Sequence, residues 1–213
     1  MRFSLASLLL LTGSLAPAVI IDRIAVVVEN RIVKESDIKR DIRVTSFLNN
    51  EDPDLSPISE RKAANRLIDQ VFIRREIELG DYPAATLQQA DQQLENLKKE
   101  RFRTEATFDQ ALRRYELSEL DLRTQFQWQL TVLRFIDVRF RPAVLVTDSE
   151  IEKYYRDHAA ALRREYPSKS SLDDRRGQIR EILTGEKVNQ QFFAWLDEQR
   201  KITRIRFLEA SLR

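Results

Sequence analysis

One histidine and no cysteine stand among the 213 residues, so imidazole and thiolate chemistry have almost nowhere to occur. His158 follows Asp157 in a charged stretch, and such a pair offers a general base or half of a metal site. A lone histidine without cysteine falls short of the ligand sets that hold zinc, and a solvated surface histidine is the simpler reading. A thiol nucleophile, a disulfide framework and a Cys-based metal site are excluded outright. Glycine occurs only at 13, 80, 177 and 185, so no glycine-rich loop can cradle a phosphate. None of the patterns G-x-x-x-x-G-K-[ST], G-x-G-x-x-G or G-x-S-x-G is present. Carboxylates are plentiful, but most stand three or four residues from Lys or Arg, as Asp197 does from Arg200. That is the spacing of a solvated, ion-paired helix face. These residues predict no enzyme active site, no cofactor, no metal and no small-molecule substrate.

What remains is recognition by apolar burial, and it concentrates in Ser118 to Pro142, SELDLRTQFQWQLTVLRFIDVRFRP. Ser118 reads as a helix N-cap with Asp121 completing a capping-box-like pair. Pro142 closes the run, because proline lacks the N–H and biases its predecessor away from helix. The helix between them would be about 34 Å long. One apolar stripe is Leu122, Phe126, Leu133, Ile136 and Phe140; a second is Leu117, Trp128, Val132 and Phe135. A surface helix carries one stripe, so two predict a spine wrapped on more than one side. Trp128 and Phe135 lie two turns apart and share a face, interleaved with Gln125, Gln127 and Arg139. Position by position these side chains read as core. The binding expectation is that Trp128, Val132 and Phe135 line a groove for unfolded chains.

The elements that would position this spine follow in order. Ile20 to Val28 is rich in β-branched residues and predicts a strand. Glu29-Asn30 predicts a turn, since Asn tolerates the left-handed conformation, and Arg31 to Val33 a returning strand. Ser36 reads as the cap of a helix with Ile38, Ile42 and Val44 inward, before a polar loop over 49–56. Ser56-Pro57 opens a helix carrying Leu67, Ile68, Val71, Phe72 and Ile77, which ends at Leu79 with Gly80 as its C′ residue. The stretch from Ala84 to about Phe102 predicts a polar helix whose thin apolar face (Leu87, Leu94, Leu97) suggests an arm along the surface. Thr104 opens a shorter helix with Phe108, Ala111 and Leu112. Thr147 to Glu150 is a T-x-x-E capping box, followed by Ile151, Tyr154 and Tyr155 on one face. Pro167 to Ser171 interrupts the chain, and Ser171 caps a long helix with Leu172, Ile179, Ile182, Leu183, Phe192, Phe193 and Leu196. Lys201 to Leu208 alternates, with Thr203, Ile205 and Phe207 on one face. A lone hairpin is marginal in water, so this segment is the expected third strand, joining the two ends of the chain.

The totals agree with that picture. Hydrophobic residues make up 42% and charged residues 33%, enough for a core in a helix-rich protein. Thirty-six basic and 34 acidic residues, spread along the chain, give +2 and no basic block to attract nucleic acid. Arg2, the apolar run Leu5 to Leu15 and Ala16-Pro17-Ala18 predict a secretory signal peptide over 1–18. The run is short for a bilayer span. A retained segment, continued by the largely apolar Val19 to Val28, would instead tether the protein to the membrane.

IDRIAVVVENRIVKESDI after that segment, LIDQVFIRREIE, FDQALRRYELSELDLRTQFQWQL and above all RFIDVRFRPAVLVTDSEIEKYY resemble the SurA family of periplasmic chaperones. The resemblance covers most of residues 19–213 and implies one helical chaperone domain, mainly α with a small β element, in which N-terminal strands meet a C-terminal helix and strand. It implies an ATP-independent holdase acting in the periplasm on unfolded outer-membrane or secreted proteins, without nucleic acid. A helical adaptor for one specific partner and a membrane-tethered chaperone are the alternatives. Two departures stand out. Relatives commonly carry a parvulin-type prolyl isomerase domain after the V-T-D-x-E-I helix, but only 15 residues separate Tyr155 from Ser171, and a folded domain needs at least about 50. Relatives often have glycine in the turn before the spine, where this chain has Glu116; if left-handed, that residue costs about 1 kcal/mol.

Overall fold

The computed structural model describes residues 22–165, 171–209 and Leu212, the side chains of 161–163 and 165 excepted. The expected leader over 1–18, the start of the first expected strand and most of the interruption at 167–171 lie outside these residues.

Strands β1 (Ile24–Val28) and β2 (Arg31–Lys34) form an antiparallel hairpin with Val27 opposite Ile32. β-Branched side chains suit this pleated, half-buried surface. Glu29, not Asn30, takes the left-handed conformation in the turn (φ 52°). Its N–H donates to the Arg204 carbonyl at 3.0 Å and its carboxylate pairs with Arg75 at 3.1 Å, so contacts outside the hairpin hold that geometry. Strand β3 (Ile205–Phe207) pairs antiparallel with the other edge of β1, giving the order β2-β1-β3. The Leu208 N–H donates to the Ala25 carbonyl at 2.9 Å, and Leu212 returns into the core. The C-terminal strand thus joins the N-terminal hairpin. It is shorter than the alternating stretch because the preceding helix continues through Ile202.

Seven helices make up most of the described chain: α1 (Glu35–Asn49), α2 (Pro57–Gly80), α3 (Leu87–Arg101), α4 (Glu105–Arg114), α5 (Glu119–Phe140), α6 (Asp148–Glu165) and α7 (Leu172–Ile202). The hydroxyls of Ser56, Thr86, Thr104, Ser118, Thr147 and Ser171 each accept from the backbone N–H three residues on, a cap contributing about 1 kcal/mol apiece.

Three local expectations are corrected. Lys34 rather than Ser36 caps α1, with its N–H donating to Asp37; the Ser36 hydroxyl is engaged by Asp22 at 2.6 Å. Gly80 is the last residue of α2, and Asp81 takes the left-handed position (φ 50°). A Cβ on Gly80 would sit 2.3 Å from the Tyr82 ring, so this glycine serves close approach rather than a positive φ. Helix α3 is not a surface arm: Ala90, Leu94 and Leu97 are buried, and the helix packs along α5. Its apolar face is thin because small and leucine side chains suffice at that close contact.

Two large clusters of buried side chains share α5. The main one joins Val26, Val28 and Val33 of the sheet to Ile38, Ile42, Ile68, Phe72, Phe135, Phe140, Phe192, Leu196 and Leu212. The second holds Val44, Phe47, Leu94, Leu97, Phe108, Leu112, Tyr115 and Leu122, with Leu117 and Phe126 against it. The division runs along α5 and not between its stripes: Leu122 and Phe126 toward its start enter the second cluster, with Leu117 just before it, and Trp128, Val132, Phe135, Ile136 and Phe140 toward its end enter the main one. The helix is wrapped by more than one set of elements, but each stripe contributes to both clusters; Leu133 enters neither and is 64% exposed. The turn before the spine is left-handed at Glu116 (φ 52°), and the Glu116 carboxylate pairs with Arg43 at 2.5 Å. Pro142 lies in a single 3₁₀ turn (Arg141–Ala143) that ends the helix.

Helix α6 and the first half of α7 form a separate helical hairpin around Ile151 and Ile179. Where α7 passes into the main cluster, Lys187 donates to the Leu145 carbonyl at 2.7 Å and pairs with Glu150 at 2.7 Å. That ammonium, with the Thr147 N–H and hydroxyl, holds the Glu150 carboxyl down at about 2. A depressed carboxyl adds stability that is present above its unfolded value and lost as pH falls through the folded one. Glu150→Gln should therefore lower the melting temperature at neutral pH, and the difference from the parent should vanish between pH 4.5 and 2. Melting curves at stepped pH read this directly; a difference that persists at pH 2 contradicts it.

Candidate polypeptide-binding groove

Helices α2 and α5 approach through side chains and leave a groove between them. Its wider part, about 590 Å³, is walled by Arg31 to Val33 of β2, Asp37 to Val44 of α1, Leu67 to Arg74 of α2 and Leu120 to Gln125 of α5. A narrower part of about 270 Å³ continues past Ile77, Ala84, Gln127, Trp128 and Thr131. Arg74 and Thr124 line both parts and make them one path.

The two ends are positioned differently. At the wide end, the period-two alternation of β2 turns Val33 into the core and leaves Ile32 48% exposed. Leu120, in the first turn of α5, is 63% exposed. Leu67 and Val71 are partly buried beneath them, packed on the main cluster. At the narrow end the Arg74 guanidinium lies over the Trp128 ring, 3.9 Å from its centroid, a cation–π contact. Arg74 is itself exposed and covers the ring from the solvent side.

The rim is charged but balanced. Arg31 pairs with Glu78 at 2.6 Å, Arg40 with Asp121 at 3.3 Å and Arg66 with Asp41 at 2.5 Å. Burial pushes the Asp41 carboxyl up, against the pull of Arg66. The Arg31–Glu78 pair is exposed and contributes little to stability; together the three pairs leave the rim without a net sign.

Of the three residues expected to bind, Trp128 lines the groove. Val132, one turn on, is partly buried against the main cluster. Phe135 is fully buried, with ring centroids 5.1 Å from Tyr82, 5.7 Å from Trp195 and 5.9 Å from Phe140. The shared face is thus graded from groove to core along two turns. Gln125 and Gln127 do interleave with the groove, whereas Arg139 turns to Glu76 and the Tyr82 hydroxyl. Ile32 and Leu120 were not among the expected residues. The alternation of β2 was the available signal for Ile32; Leu120 belongs to neither stripe of α5, which itself marks an exposed leucine.

His158 lies on an exposed face, stacked 4.0 Å from the Tyr154 ring, with Nδ1 at 2.9 Å from the Tyr154 carbonyl. Asp157 is engaged by Lys153 at 2.8 Å. Among the described residues no group of three or more His, Asp or Glu is arranged to hold a metal ion, and no helix is long and apolar enough to cross a membrane.

Unfolding titrations distinguish the two ends of the Trp128 face. Phe135→Ala should cost about 3–5 kcal/mol, the range for a buried aromatic, and Trp128→Ala less than half of what Phe135→Ala costs. Equal losses in denaturant midpoint would place Trp128 in the core. Set against protein-family models and against curated proteins, the chain matches none of them.

Proposed function

We propose that the protein is an ATP-independent holdase, a chaperone that captures unfolded polypeptide segments in the groove between α2 and α5. The observation that carries this reading is the pair of large aliphatic side chains, Ile32 and Leu120, exposed at a concave and charge-balanced surface. Apolar burial is worth about 25 cal/mol per Å² and is indifferent to sequence, which suits a binder of many clients. Covering the part of either side chain that is still exposed, about half, contributes about 1–2 kcal/mol. The balanced rim selects neither acidic nor basic clients. The resemblance to SurA-like chaperones and the leader-like segment over 1–18 support a periplasmic site of action on outer-membrane or secreted proteins.

The double variant Ile32→Thr, Leu120→Gln tests the assignment. Both side chains are exposed, so stability should stay within about 1 kcal/mol of the parent. Suppression of aggregation of several unrelated unfolded proteins, measured by light scattering without ATP, should fall several-fold. Unchanged suppression with an unchanged fold contradicts the groove. A parent protein that protects one protein and no other would be an adaptor instead.

A further inference from the structure

A second cavity, about 850 Å³ and open to solvent, lies where the C-terminal ends of α1 and α3 meet one face of α4. Its apolar floor includes Phe102 and Ala111. Phe102 is partly exposed, yet its ring is held by Phe47 (6.1 Å, stacked) and Phe108 (5.3 Å, edge-on). The cavity therefore presents a fixed aromatic surface, not a mobile one. Gln110 and Thr107 add neutral polar groups.

The charges differ from those of the groove. The α2–α5 groove is lined by three arginines and four carboxylates; this cavity is lined by Arg101 and Arg114 and by no carboxylate. Arg114 pairs with Asp52, but both are well exposed, and such a pair is readily exchanged. Among the described residues Arg101 has no carboxylate within ion-pair distance. Its Nη1 donates to the Phe47 carbonyl at 3.2 Å, where the negative end of the α1 dipole holds the guanidinium in place. One of five N–H donors is thereby used, leaving the fork available to an anion.

We propose that this cavity binds polypeptide segments in which an aromatic side chain is followed by an acidic one. The ring rests on Phe102 and Ala111, the carboxylate meets Arg101 with Arg114 beside it, and the open rim lets the chain continue in both directions. This is a second site, separate from the groove, with a preference that the groove's balanced rim does not have.

Two acetylated and amidated peptides test it, Gly-Ser-Phe-Glu-Ser-Gly and the same sequence with Gln for Glu, titrated into the full protein and followed by amide NMR shifts. The Phe-Glu peptide should bind about five- to tenfold more tightly, as a charge-assisted contact implies, with shifts at Phe102, Gln110 and Ala111. Arg101→Gln should bring the two affinities together. Arg114→Gln, at an exposed position that the fold does not need, should narrow the ratio and serves as the second variant if Arg101→Gln unfolds. Equal affinities for the parent protein, a ratio that survives both substitutions, or shifts confined to α2 and α5 would overturn the proposal. Because the titration uses no aggregating client, it can fail while the groove assay succeeds, and the reverse.

Discussion

Both large cores of this structure depend on α5, whose first half is buried in one and whose second half in the other. Leu122 and Phe126 enter the cluster built by α1, α3 and α4, while Phe135 and Phe140 enter the one built by the sheet, α2 and α7. Neither cluster closes without that helix. Phe135 alone meets three rings at 5.1–5.9 Å, and aromatic pairs of this geometry add about 0.5–1.5 kcal/mol each beyond area burial. A helix held so firmly along both halves can leave one flank open. The groove is that flank: α5 is fixed by contacts elsewhere, so it does not have to close on α2.

The sheet supplies the second constraint. With β1 in the centre, the hairpin that begins the described chain and the strand that ends it are held by the same backbone ladder. That arrangement puts β2 on an outer edge, where its alternation delivers Ile32 to the groove wall. The turns around this frame are made without glycine: Glu29, Asn50, Asp81 and Glu116 all have positive φ. The cost is about 1 kcal/mol at Glu29 and at Glu116, and less at Asn50 and Asp81, whose short polar side chains tolerate that conformation. Two of the four are tied by arginines from other elements, Glu29 by Arg75 and Glu116 by Arg43, so the side chain that raises the local cost also anchors the turn.

Much of this was legible in the sequence wherever the signal was local. The caps at Ser56, Thr104, Ser118, Thr147 and Ser171 announce themselves by a hydroxyl residue ahead of an apolar-periodic run. The two stripes of α5 announced a helix wrapped on more than one side, but not that its two halves would enter different clusters. The alternation around Ile205 announced a strand that the hairpin needed. Other features had no local signature. Helix α3 reads as polar because its buried face is made of Ala90, Leu94 and Leu97, and only the proximity of α5 makes so thin a face sufficient. Gly80 reads as a helix terminator, whereas its job is to make room for Tyr82. Phe135 and Trp128 share a helical face and were expected to share a role. The ring of Tyr82 and the rings of α7 bury the first, and the guanidinium of Arg74 half-covers the second. The groove joins three consecutive elements, β2, α1 and α2, to the distant α5, and the leucine that marks it, Leu120, is conspicuous only because no stripe claims it.

Unfolded chains bound as proposed, along α2 and α5, would cover Ile32, Leu120 and Trp128. Hydroxyl-radical footprinting with and without a permanently unfolded client reads this residue by residue. The prediction is that Ile32, Leu120 and Trp128 lose reactivity on client addition while Leu145, 81% exposed, and Ile58, 70% exposed, keep theirs. Protection at Leu145 or Ile58 with none along the groove would contradict it.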